Sequence, residues 1–296
     1  MSSETLGLVK GATKDSNRIS VKPIMAFAEM EFVIAVRSRW FLVSTVSFGL
    51  LVLGISYFGL SASGYSGAVQ DFTRTTLSLL NLVLYLIPLI ALMAGSITFS
   101  TPAGFDELLH TQPVRRSEVL LGRFLGVALV LLTAVDIGFV SSGFFVLIQI
   151  GTDGILRYAA FVFLSNVLLL IFLAISMVIA VYSKQRSRVF ALSATVWFLS
   201  LIFYDLLVIG ITSLLSGRAA ANTAMLALLL NPVDIVRVQS LISLNSPSIF
   251  GPAGAAFVRL LGGELGAFLM LSADLLFWLA GLVLVSLRAN SKRDIN

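Results

Sequence analysis

The sequence predicts an all-α polytopic membrane protein with six transmembrane helices, and three observations carry that prediction. With 58 % apolar and 12 % charged residues and a mean hydropathy of +0.99, the chain of 296 residues has too little polar surface to cover a soluble globule. Six apolar runs, residues 40–60, 77–99, 119–150, 156–182, 189–215 and 265–287, each reach the roughly 20 helical residues needed to cross about 30 Å of hydrocarbon. The alternating pattern of a membrane barrel is absent, and in lipid a helix satisfies its own backbone.

Residues 1–22 are rich in Ser, Thr, Lys and Gly without apolar periodicity and read as a disordered cytoplasmic tail. No apolar stretch there precedes a small-residue cleavage site, so a removable signal peptide is not expected. Residues 23–39 are helical in propensity but carry Glu29, Glu31, Arg37 and Arg39. Too charged to cross and too apolar to float free, they are expected to lie as an interfacial helix and to turn upward at Trp40, an aromatic suited to headgroup depth. The six-helix membrane domain then occupies residues 40–288, and residues 289–296 form a cytoplasmic tail.

Between the second and third spans, residues 100–118 lodge a charged, amphipathic stretch between two long apolar runs. Asp106 and Glu107 precede the apolar pair Leu108 and Leu109, a Thr-Gln-Pro break follows, and Arg115, Arg116 and Glu118 lead into the next span. Such a segment is expected to be a docking hairpin for a cytoplasmic partner. His110, the single histidine, sits in it without Cys or a second His nearby, so a polar contact suits it better than metal ligation. The Gly122 and Gly126 pair that follows permits close helix approach, within the chain or to another one.

Orientation follows from Lys and Arg. With a cytoplasmic N-terminus, fifteen of the 20 basic residues fall on the inner side, and only Arg74, Arg157, Arg218, Arg237 and Arg259 fall outside. Both termini are therefore expected in the cytoplasm, in a bacterial or archaeal cytoplasmic membrane. The net charge of +5 is accounted for by this bias and calls for no nucleic acid.

Three acids fall inside spans: Asp136 in the third, Asp205 in the fifth and Asp274 in the sixth. Intramembrane carboxylates are expensive to bury, so each is a candidate for a pathway or switch unless a neighbouring helix pairs it. Pro88 lies within the second span and is expected to kink it. The longest outer connection, residues 216–264, contains an apolar stretch interrupted by Asn231, Pro232, Asp234 and Arg237. Burying those charges in a straight crossing would cost about 2.5–3.5 kcal/mol each, which argues against a seventh span. Asn231 instead reads as an N-cap, with Pro232 at the first helical position and Asp234 at the third. The loop is expected to hold two short helices dipping against the bilayer, with these four residues as candidates for contact with a periplasmic partner.

No phosphate-binding GxxxxGK[ST] loop occurs, so the chain is not expected to be an enzyme, and ATP and Mg belong to a separate chain. Without cysteine there are no disulfides and no thiolate ligands, and no metal or other cofactor is expected on this chain.

Six spans, an interfacial helix before the first and the hairpin from Glu107 to Gly126, reading ELLHTQPVRRSEVLLGRFLG, resemble the permease subunits of ABC-2 type transporters. The resemblance covers nearly the whole chain from about Pro23. It implies that residues 100–118 include a coupling helix seated in a cytoplasmic ABC ATPase, with Asp106, Glu107, Leu108, Leu109, Arg115, Arg116 and Glu118 at that contact, and that two permease copies pair. Within the family, the stretches LYLIPLIALM, ATVWFLSLIFYDLLVIG and LLLNPVDIVRV look most like permeases of the transporter that matures nitrous oxide reductase. That closer likeness implies a periplasmic β-helical protein and a lipoprotein copper chaperone as partners. With no Cys and one His, the chain offers no ladder of soft ligands for carrying copper, so a mechanical relay is expected. An ordinary exporter of a lipid-like, peptide or drug substrate, and an ATP-independent scaffold, remain the alternatives.

Overall fold

A cap made by one serine separates the interfacial helix from the first span. The computed structural model describes residues 21–61, 68–100, 115–150, 152–183, 185–243 and 262–291. Helix α1 (Val21–Val36) ends just before Ser38, whose hydroxyl accepts the Phe41 N–H at 3.1 Å and so caps α2 (Arg39–Ser61). Helix α3 (Ala68–Phe99) runs on through Pro88. Helix α4 (Arg116–Ile150) starts where Glu118 reaches back to the Arg115 N–H at 3.4 Å, one half of a capping box. Helix α5 (Thr152–Tyr182) returns. The fifth span is composite: α6 (Arg186–Phe198), a π-helical segment (Leu199–Phe203) and α7 (Tyr204–Ser213). Helices α8 (Gly217–Leu230) and α9 (Pro232–Ser243) follow, and α10 (Glu264–Ser291) is the sixth span. Six of the described helices or helix runs are long and apolar enough to cross a membrane, as the sequence predicts.

The spans are not equivalent. Over half of the α5 and α4 spans lies buried within the chain, against 6 % of the fifth, 11 % of the sixth and 17 % of the first. Helix α5 is therefore the hub, covered by neighbours through its second half: Leu168, Leu169, Ile171, Phe172, Leu173, Ala174 and Met177 are wholly enclosed. Phe139 stacks edge-to-face on Phe48, Tyr158 and Phe161, with centroids 5.5–6.2 Å apart, and joins α2, α4 and α5. Small residues let these helices approach: Gly49 faces Gly138, Ser56 bonds Ser142, and a Cβ on Gly95 would meet Ser176 at 2.6 Å.

At the opening end of α4, the Gly122 and Gly126 pair serves contact within the chain. A Cβ on Gly122 would come within 2.5 Å of the Phe27 Cβ, and one on Gly126 within 2.5 Å of the Ala28 carbonyl, so α1 lies directly on the α4 backbone. Between the two glycines, Arg123 Nε meets Glu31 Oε1 at 2.6 Å, with both side chains nearly enclosed. Glu31, which kept α1 from reading as a span, is thus the residue that fastens it.

Two features add to the expectations. The fifth span carries a π segment between α6 and α7. Of the two short helices expected in the long connection, α8 is exposed or half-buried along its length, whereas α9, set at 104° to it, is buried along almost its whole length. The physical reason is that the bend's polar groups find partners on spans five and six.

Candidate functional site

The tip of this re-entrant hairpin is built from the residues whose types promised a helix start. Asn231 Oδ1 accepts the Val233 N–H at 3.1 Å, Pro232 occupies the first helical position and Asp234 the third. The last carbonyls of α8, which inside a membrane have no water to bond, are taken by side chains from two spans. Tyr204 donates its hydroxyl to Ala227 O at 2.5 Å, and Trp278 donates its indole N–H to Leu229 O at 3.2 Å.

The π segment supplies the matching acceptor. Because the Tyr204 N–H bonds back to Leu199 O, five residues earlier, the helical register slips by one and the Ser200 carbonyl is available to accept Asn231 Nδ2 at 2.9 Å. Ser200 lies midway along the Arg186–Ser213 span and Trp278 midway along Glu264–Asn290, so the tip stands level with the middle of both helices.

One turn beyond, Arg237 bridges the two elements. Its Nη1 lies 2.7 Å from Asp234 Oδ1 on α9 and 3.1 Å from Asp205 Oδ2 on α7. Asn231 Nδ2 also donates to Asp234 Oδ2 at 3.0 Å. One guanidinium thus serves two carboxylates, and the Arg237 and Asp205 side chains keep 30 % and 34 % of their surface accessible. The node is a fixed polar contact with one open side, at the point where a π-distorted span meets a bent hairpin. Chemically it can hold or release the hairpin; nothing in it resembles a nucleophile with its base.

The other intramembrane acids take different positions. Asp136 Oδ1 accepts Asn166 Nδ2 at 2.8 Å, pairing α4 with α5 near the middle of both. Asp274 is half-buried on α10, and its Oδ2 has no hydrogen-bond partner among the described residues. Gln239 of α9 ties the hairpin to α10, donating to Phe268 O at 3.2 Å and Ser272 Oγ at 2.5 Å.

The architecture has known relatives: residues 25–294 match the ABC-2 family transporter protein family. This chain belongs to that family. It is 33 % identical over 247 residues to a protein of Stutzerimonas stutzeri named "Probable ABC transporter permease protein NosY", covering 80 % of this chain and 86 % of the relative. It is 31 % identical over 234 residues to a Pseudomonas aeruginosa protein of the same name, covering 77 % and 85 %. The protein is therefore an ABC-2 permease subunit, the membrane component of an ABC transporter.

In this permease, Asp106, Glu107, Leu108 and Leu109, expected at the ATPase contact, and His110 with them, lie outside the described residues. Arg115 and Arg116 stand at the start of α4, half-buried, and Glu118 is buried and caps the same turn. Asn231, Pro232, Asp234 and Arg237 are at the bend between α8 and α9 and on the first turns of α9, with Asn231 and Pro232 buried. Sequence reading identified Asp205 and Arg237 separately and joined neither to the other. It passed over Tyr204, Ser200, Trp278, Gln239 and the Glu31–Arg123 pair; only the last left a signal, as opposite charges in the interfacial stretch and at the start of the third span.

Proposed function

We propose that this permease couples ATP hydrolysis in a separate cytoplasmic ATPase to a conformational relay that serves copper-site maturation of nitrous oxide reductase. The observation that carries this reading is the polar node: two membrane elements, one π-distorted and one bent by 104°, are joined by a single shared guanidinium, a joint suited to movement rather than to a conduit. Likeness to two permeases named NosY over 77–80 % of the chain supports the same system. In this reading both termini are cytoplasmic and residues 100–118 seat in the ATPase, with Asp106, Glu107, Leu108, Leu109, Arg115, Arg116 and Glu118 at or behind that contact. ATP and Mg act there, on the partner.

Force applied at the coupling segment passes directly into α4, which is the next helix and carries α1 with it. Through the α5 hub it reaches the hairpin, where Asn231, Pro232, Asp234 and Arg237 act as the hinge for a periplasmic β-helical partner and, beyond it, a copper chaperone. A second permease copy covers the exposed fifth and first spans, of which the chain itself buries only 6 % and 17 %. Copper is cargo of the wider system and is not ligated here.

The test is genetic. In a denitrifying host deleted for its own permease but holding the rest of the cluster, this chain should restore a copper-loaded reductase. Arg115→Ala combined with Arg116→Ala should leave the permease inserted yet lose ATPase binding and reductase maturation. If the chain restores nothing there but lowers accumulation of lipid-like or drug substrates in vesicles, the ordinary exporter reading replaces this one.

A further inference from the structure

Beneath α1, between α2, α3 and α4, lies a partly open cavity of about 250 Å³. Its walls include Phe41, Phe48, Ile90, Ile97, Val127 and Leu131, with Ala94 and Ala134 leaving the room. For scale, an apolar protein cavity of roughly 150 Å³ stays dry and accepts a benzene-sized guest. Three of the polar groups at its edge are already engaged, Glu31 with Arg123, Ser38 with the Phe41 N–H, and Thr45 Oγ1 with Phe41 O at 2.8 Å, while Ser44 and Thr98 are short hydroxyls in an otherwise apolar lining. A buried water needs two to four polar partners, so these walls favour a hydrocarbon guest over water.

Depth and charge say which hydrocarbon. The lining stretch of α2, Phe41 to Phe48, lies within about 14 Å of the start of that helix at 1.5 Å per residue, which is less than half of an apolar core about 30 Å thick. The cavity therefore opens within the leaflet on the α1 side, with Ile34 and Ile97 partly exposed at its wall. Ser38 lines the mouth, and the residues on either side of it, Arg37 and Arg39, are both exposed cations at headgroup level.

We propose that the cavity holds one acyl chain of a resident anionic phospholipid of that leaflet, its headgroup held by Arg37 and Arg39. The lipid fills the space between the interfacial helix and three spans, and thereby stiffens the joint through which α1 rides on α4.

The experiment uses the full-length permease, purified in mild detergent, stripped of lipid and returned to nanodiscs of phosphatidylglycerol or phosphatidylcholine before native mass spectrometry. Wild type should retain about one phosphatidylglycerol per chain, and Ala94→Leu with Ala134→Leu should release it. Arg37→Ala with Arg39→Ala leaves the cavity intact and keeps the experiment informative if the filled variant misfolds. At about 1 kcal/mol for each cation near an anionic surface, its preference for phosphatidylglycerol over phosphatidylcholine should fall roughly 30-fold. Equal retention by wild type and the filled variant overturns the site, and an unchanged headgroup preference overturns the arginine assignment. A cysteine at Thr98 that crosslinks to residues 101–114 while no lipid is retained shows that the chain's own segment fills the cavity instead.

Discussion

Among the described residues, the Glu31–Arg123 and Asp205–Arg237 contacts each join two helices, and they are built in opposite ways. At the α1–α4 contact, Glu31 and Arg123 meet at 2.6 Å with their side chains only 8 % and 14 % accessible, flanked by glycines that bring the backbones together. At the hairpin, Arg237 divides itself between Asp205 and Asp234, stays about a third accessible, and sits beside a π segment and a 104° bend. The first contact is close and nearly dry. The second has a spare carboxylate, an open side and two irregular backbones, so alternative arrangements cost less. The contrast teaches where stiffness and freedom are distributed: the α1–α4 contact is clamped, and the α7–α9 contact is the more open of the two.

The contrast can be broken by mutation, and the largest effect is expected at the clamp. Glu31→Ala leaves Arg123 charged and enclosed, and losing one partner of a buried pair costs about 3–5 kcal/mol. Thermal unfolding in detergent should show it, and a loss no greater than that of Arg237→Ala would erase the distinction between clamp and hinge.

Gly126→Ala tests the same contact without touching charge. Its Cβ would stand 2.5 Å from the Ala28 carbonyl, a backbone atom that cannot swing aside, so a loss of about 1–3 kcal/mol is expected from overpacking. Thermal unfolding of the otherwise unaltered chain should show it, and wild-type stability in that variant would mean that α1 is not seated on the glycines.

At the hinge, Arg237→Ala should cost less stability, about 1–2 kcal/mol, because its pairs lie between the exposed and buried extremes. Its effect on ATPase-coupled output should nevertheless be nearly complete. A double-mutant cycle with Asp205→Ala should give a coupling energy within about 0.5–3 kcal/mol, and additive losses would dissolve the joint between α7 and α9.

Asn231→Ala should have the smallest stability effect, about 1 kcal/mol for a lost N-cap. Asn231→Ser keeps a neutral cap acceptor but is too short to reach the Ser200 carbonyl. If the cap alone matters, Ser should restore stability and output together; restoring stability without output would assign the function to the π segment.

Much of this protein is local chemistry and was legible as such. Apolar runs of span length are set by transfer free energy residue by residue, so the six spans follow from hydropathy alone. The Asn231-Pro232-x-Asp234 helix start follows from backbone donors that only nearby side chains can satisfy, and it lies where those residues place it. The Gly122 and Gly126 pair announced a close approach without naming its partner.

What the sequence by itself determined is the class, the spans and the positions at which helices begin. Only the tertiary structure decided how deep the hairpin enters and which charges meet. Arg237 and Asp205 stand 32 residues apart, and Arg123 and Glu31 stand 92 apart. No local pattern encodes such pairings. They exist because the folded bundle carries polar groups below the membrane surface, where each must find a partner in another helix or pay the cost of desolvation.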